Sequence, residues 1–283
     1  MNTFLTISRF AFRRSRWMLA GWGIPLFLLG LITLPFYDLV SENEKQLLAI
    51  LQTLPPQLTA FIGGEDAALF LTPGGFITLR YFAFLPIYLG VYGAMVGSGM
   101  LAADEERGVL DFVLAHPAGR AALFWGRFTS LAAGVLVIMV CCWLGLWFGV
   151  LRADGLDFPP GQLALPFLSA YAMTMLFAAM ALALSMVVPS RIAAAMLTGI
   201  FAFASYVITN LARAIPALET WAAASPVSYF QSDAMDGLHP GKLWALLVPA
   251  VLFALLAWVG FRARDIRVAG DGGWKLPFIR RGR

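Results

Sequence analysis

The sequence predicts an all-α membrane protein with six transmembrane helices, both termini on the cytoplasmic side, and short helical pieces outside the spans. Three observations predict it. The chain is 60% hydrophobic and only 13% charged, with a mean hydropathy of +0.78, whereas soluble domains run about 45–50% apolar and about 25% charged. Six stretches are long enough to cross the hydrocarbon core, which takes roughly 20 apolar residues as a helix. Lys and Arg fall mostly on one side of those stretches. Backbone amides in lipid must be satisfied within the segment itself, so the runs are helices rather than open strands.

Taken in order, residues 1–16 alternate Phe4, Ile7, Phe10 and Phe12 with Arg9, Arg13 and Arg14. That pattern predicts a basic amphipathic helix lying in the interface, and a plain basic topology anchor fits it equally. The spans follow at residues 17–36, 81–103, 128–151, 163–188, 192–212 and 243–261. With the N-terminus inside, the cytoplasmic side holds Arg9, Arg13, Arg14, Arg16, Arg107, Arg120, Arg127 and Arg191 together with the basic tail 263–283. The opposite side holds Lys45, Arg80, Arg152, Arg213 and Lys242. The first apolar run is too long for a cleaved signal and lacks a small-x-small site, so no cleavage is expected. The whole chain reads as a single membrane domain in the inner (plasma) membrane.

Two outer segments are long. In residues 38–75, Ser41-Glu-Asn-Glu44 has capping-box spacing, and Leu47, Leu48, Leu51 and Leu54 follow before Pro55-Pro56. A small helical cap is expected there. Residues 213–241 are too broken by Pro216 and Pro226 to span and too apolar to be a free loop, which predicts a re-entrant or interfacial helix pair.

The composition narrows the function. Cys141 and Cys142 are adjacent within an apolar run and read as packing residues. His116 and His239 are far apart, and no Cys/His/carboxylate group has metal-ligand spacing. The net charge of +4 belongs to helix ends, so membrane topology explains it better than nucleic acid. No Asp, Glu, Lys, Arg or His lies deep in a span, which argues against a proton- or ion-coupled carrier and for apolar or amphipathic cargo. No Gly-x-x-x-x-Gly-Lys-Ser/Thr phosphate loop is present.

Residues 104–120 are the exceptional segment: a short charged stretch between two uncharged spans. Asp104, Glu105 and Glu106 end the second span, Gly108 lets the chain turn, and Val109, Leu110, Phe112, Val113 and Leu114 form a short apolar helix that Pro117 ends. Such a helix at a water boundary needs a groove. The spacing Glu105-x-x-Gly108-x-Leu110-Asp111-x-x-Leu114-Ala115-x-Pro117-x-x-Arg120 resembles the coupling-helix region of type 2 (export-type) ABC transporter permeases. The six-span layout and Ser225-Pro226-x-x-Tyr229-Phe230 are similar to that family as well. The likeness covers nearly the whole chain by layout but one segment by motif. Asp111 stands where Glu is frequent.

The resemblance implies a permease subunit that pairs with a second, identical or paralogous, permease and docks on cytoplasmic ATP-binding subunits. Docking would fall to Glu105, Glu106, Gly108, Leu110, Asp111, Leu114, Pro117 and Arg120. ATP and Mg would sit on the partner ATPase, with no cofactor on this chain. The bland reading of Glu105, Glu106 and Arg120 is helix-end solvation. Within the spans, Phe84, Tyr88 and Tyr92 recur at i+4, and with Tyr206 and Asn210 they are candidates for a substrate path. Bundle packing, or helix capping by Asn210, is the alternative, and packing is the better reading of Gly90, Gly93, Gly97 and Gly99. Two other functions compete: a membrane-embedded enzyme, which needs convergent polar groups at one interface, and a non-transporting assembly or sensor subunit.

Overall fold

The computed structural model describes residues 3–43, 71–106, 119–188, 190–213, 215–233 and 237–263, with a few isolated positions between them. Helices dominate: α1 (Thr3–Thr33), α2 (Phe36–Glu42), α3 (Pro73–Ile77), α4 (Leu85–Glu106), α5 (Arg120–Val150), α6 (Pro160–Val187), α7 (Arg191–Leu211), α8 (Glu219–Ala223) and α9 (Pro240–Ala263). Among the described residues, six helical stretches are long and apolar enough to cross a membrane. The all-α, six-span part of the sequence reading therefore holds.

Interfacial and first-span segments were expected to be separate. They form one continuous helix, α1, because nothing between Arg16 and Trp17 breaks a helix. At 1.5 Å per residue its 31 residues extend about 46 Å, well beyond a roughly 30 Å hydrocarbon core.

The second span also starts earlier than expected. Pro73 opens α3, with the Thr72 hydroxyl accepting from Gly75 N–H at 3.1 Å. A π-helical turn follows at Thr78–Phe82, and α4 begins only after a break at Ala83 and Phe84. In the outer loop, Ser41 lies in the last turn of α2 and donates to the Asp38 carbonyl at 2.9 Å. It does not open a capping box, because the helix already starts after Pro35. Glu44, Leu47, Leu48, Leu51 and Leu54 lie outside the described residues, as does the tail after Ala263.

Helix α6 is the axis of the bundle. Its side chains from Ala170 to Leu182 are almost all buried, and α4 and α9 lie against it while α1 lies along α5. Two seams are stripped of side chains so that backbones can meet. A Cβ on Gly97 would collide with the Ala178 carbonyl, and one on Gly145 would collide with the Phe27 carbonyl. Gly93 against Thr174 and Gly149 against Gly30 extend these seams. The packing reading of Gly93 and Gly97 is the right one. Cys142 is fully buried beside Tyr81, whose hydroxyl lies 3.3 Å from the Cys142 carbonyl.

The end of the bundle away from the N-terminus is stitched by polar side chains. Asp38 accepts from the backbone N–H of Asp154 and Gly155. The 213–241 segment is built of a 3-10 turn at Pro216–Leu218, α8, and a second 3-10 turn at Pro226–Tyr229. Ser225 is its hub: its Oγ donates to the Ser205 carbonyl and accepts from Thr209 Oγ1 and Val227 N–H. Gln231 and His239 exchange backbone and side-chain hydrogen bonds at 2.7 and 3.2 Å.

Candidate functional site

The site of interest is the end of the bundle where α1, α5 and α7 begin and α4, α6 and α9 finish. Three polar contacts bring these ends together. Asp104, buried near the end of α4, pairs with Arg14 of α1 at 2.9 Å and with Arg127 of α5 at 2.6 Å. Arg127 also donates to the Met100 carbonyl at 3.0 Å, so it reads the last turn of α4 with both arms of its fork. Glu106 pairs with Arg191 Nε at 2.9 Å and accepts from the Arg191 backbone N–H at 3.0 Å. With Ser190 Oγ, which accepts from Ala193 N–H, it satisfies the first amides of α7. Arg120, at the start of α5, donates to the carbonyls of Phe261 and Arg262 at 3.4 and 3.2 Å. That puts a cation on the exposed carbonyls at the C-terminus of α9.

These contacts place both described chain ends at the same end of the bundle. Under them lies an apolar cluster of Leu101, Leu123, Phe124, Leu182, Met186, Ala257 and Phe261. Phe124 stands at its centre, 5.1 Å from the Trp258 ring.

Of the residues expected to dock an ATPase, Leu110, Asp111, Leu114 and Pro117 lie outside the described residues. The others flank that stretch. Glu105 is buried, Glu106 is half exposed and held by Arg191, Gly108 has a positive φ of 67° that suits glycine, and Arg120 is held by α9. Glu106 and Arg120 are thus more than solvated helix ends. The triad of Arg14, Asp104 and Arg127 was missed as a unit. Its signal was present: opposite charges at the same end of three neighbouring spans.

The candidate path residues separate into two places. Phe84 sits in the break before α4, and it and Tyr88 are partly exposed. Tyr92 is buried on another side of α4, its ring 5.6 Å from Trp22. Phe84 precedes α4, and the roughly 40° by which each i+4 step overshoots a full turn carries Tyr92 from the exposed side of Tyr88 toward Trp22. Tyr206 is buried on α7. Asn210 donates to the Tyr206 carbonyl at 2.8 Å, which commits its amide to its own helix.

Among the described residues, six candidate spanning helices are thus joined at one end of the bundle by charged side chains. A sequence profile for the ABC-2 family transporter protein matches residues 11–266. The chain belongs to this family. It is a multi-pass membrane protein and the permease subunit of an ABC transporter. Membership implies a partnership with an ATP-binding subunit. A search of curated proteins finds no match. In this permease the profile covers all six spans, including the tied ends of α4, α5, α7 and α9.

Proposed function

We propose that the permease couples ATP hydrolysis on separate cytoplasmic subunits to export of an apolar or amphipathic substrate such as a drug, antibiotic, lipid or peptide. The observation that carries this reading is the anchoring on both sides of residues 107–119. Glu106 ties the segment's start to α7, and Arg120 ties its end to α9. Asp104, one turn away, ties α4 to α1 and α5. A push on the segment therefore reaches five spanning helices through short charged contacts. That is what a joint driven by a nucleotide-dependent partner requires. ATP and Mg belong to that partner.

The charge asymmetry of the sequence supports a cytoplasmic location for this end, and the membrane we propose is the plasma membrane. Pairing with a second permease subunit is proposed from the family resemblance, and α7 is one helix whose outer face could meet that subunit or lipid. Ile192, Met196, Ile200 and Phe203 form an exposed apolar stripe along it, while Ala194, Thr198, Ala202 and Ser205 face inward. At the far end, Tyr88 and Tyr206 are the candidates for contact with substrate.

The test is co-expression with the cognate ATP-binding subunit and reconstitution into vesicles. Leu110→Asp with Leu114→Asp should abolish co-purification of the ATPase and ATP-dependent transport together. Intact assembly and transport in this variant would overturn the docking reading.

A further inference from the structure

A groove of about 590 Å³ runs between α1, α4 and α5 at the tied end of the bundle. Its walls are three helical stripes, from Thr6 to Leu19 on α1, Tyr92 to Asp104 on α4, and Leu123 to Gly134 on α5. Its depth is lined by Met18, Leu19, Tyr92, Met95, Val96 and Leu131, and its mouth by Arg14, Arg127, Arg191 and Asp104. The groove is therefore apolar inside and charged at one level only.

We propose that this groove holds one anionic phospholipid from the leaflet at the N-terminal end of the bundle. Its headgroup would lie on Arg14 and Arg191, and one acyl chain along α4 as far as Tyr92.

The first argument is depth. Asp104 to Tyr92 is twelve residues, or about 18 Å of helix. One leaflet of a roughly 30 Å core is about 15 Å deep. From Arg14, α1 continues for about another 28 Å to Thr33, so the arginine level coincides with one boundary of the hydrocarbon. A chain of leaflet length fits between that boundary and Tyr92.

The second argument is charge. Three guanidiniums at the mouth meet the carboxylates of Asp104 and Glu106, the latter ion-paired with Arg191. One positive charge remains in excess. Glu105 lies on another face of α4 and does not line the groove. Arg127 is mostly buried and commits both arms to α4, but Arg14 reaches Asp104 through one nitrogen and is 45% exposed. Arg191 pairs with Glu106 through Nε, while its Nη1 reaches out over Gly99. Each guanidinium carries five N–H donors in a planar fork suited to phosphate. The remaining donors of Arg14 and Arg191 point to a monoanionic phosphate. Net positive charge selects against a zwitterionic lipid, whose choline or ammonium group would meet the same arginines.

The proposal needs no ATPase, so it stands or falls separately from the coupling reading. The full-length permease is purified from membranes and exchanged into mixed micelles carrying equal phosphatidylglycerol and phosphatidylcholine, and retained lipid is counted by native mass spectrometry. Phosphatidylglycerol should be retained in a one-to-one complex, about tenfold over phosphatidylcholine, the size of one charge-assisted contact. Arg14→Gln should erase most of that preference. Gly99→Phe, whose ring enters the groove from a position with no neighbour nearer than 4.0 Å, should lower retention of both lipids. Equal retention of the two lipids by the wild type would overturn the proposal. So would unchanged retention in both variants, or a Gly99→Phe effect on oligomeric state alone, which would make a second copy of the chain the occupant.

Discussion

Asp104 and Arg127 form a 2.6 Å ion pair in which both side chains are largely buried, at 5% and 12% exposure. The pair joins the end of α4 to the beginning of α5, the two helices that flank residues 107–119. Removing one partner from a buried pair strands the other, at roughly 3–5 kcal/mol. Asp104→Asn should therefore lower the thermal stability of the detergent-solubilised protein strongly. Arg14→Gln should cost much less, because Arg14 is 45% exposed and solvent screens its half of the triad. Parallel melting curves of the two variants check the ranking.

Arg120 gives a test of transmission rather than of folding. Its guanidinium carries the contact between α5 and the carbonyl end of α9. Arg120→Ala should leave the ATPase bound and lower transport per ATP hydrolysed by about tenfold, the equivalent of about 1.4 kcal/mol at the joint. Paired ATPase and vesicle-transport assays measure that ratio.

The stripped seams predict a sharp contrast among glycines. Gly97→Leu and Gly145→Leu drive side chains into the Ala178 and Phe27 backbones, which cannot move aside without separating the helices. Both should abolish recovery of monodisperse protein in size-exclusion chromatography. Gly199→Ala, where an added Cβ meets nothing within 4 Å, should be neutral or stabilising by about 0.5–1 kcal/mol, since glycine is the poorer helix former.

Ser225 gathers three hydrogen bonds from the outer segment and α7. Ser225→Ala leaves buried donors and acceptors without their partner, at about 1–3 kcal/mol. The loss should appear as faster proteolysis between residues 213 and 241, with the rest of the bundle still protected.

The all-helical fold and the six spans were legible in the sequence because a bilayer reads length and apolarity, and both are local properties of the chain. The family was legible because Glu105, Gly108, Leu110, Asp111, Leu114, Pro117 and Arg120 keep a joint spacing at one topological position. Helix limits were less so. The separate interfacial helix became part of α1, and α3 and a π turn precede α4, because hydropathy does not register where a helix ends in water. What only the tertiary structure decided is which charge meets which. Asp104 with Arg14 and Arg127, Glu106 with Arg191, and Arg120 with the end of α9 join residues 23 to 142 positions apart. The sequence places each at a boundary, but a partner is chosen by which spans pack side by side and how each helix is rotated. The same rotation divided Tyr92 from Tyr88 and opened the groove beneath Arg14.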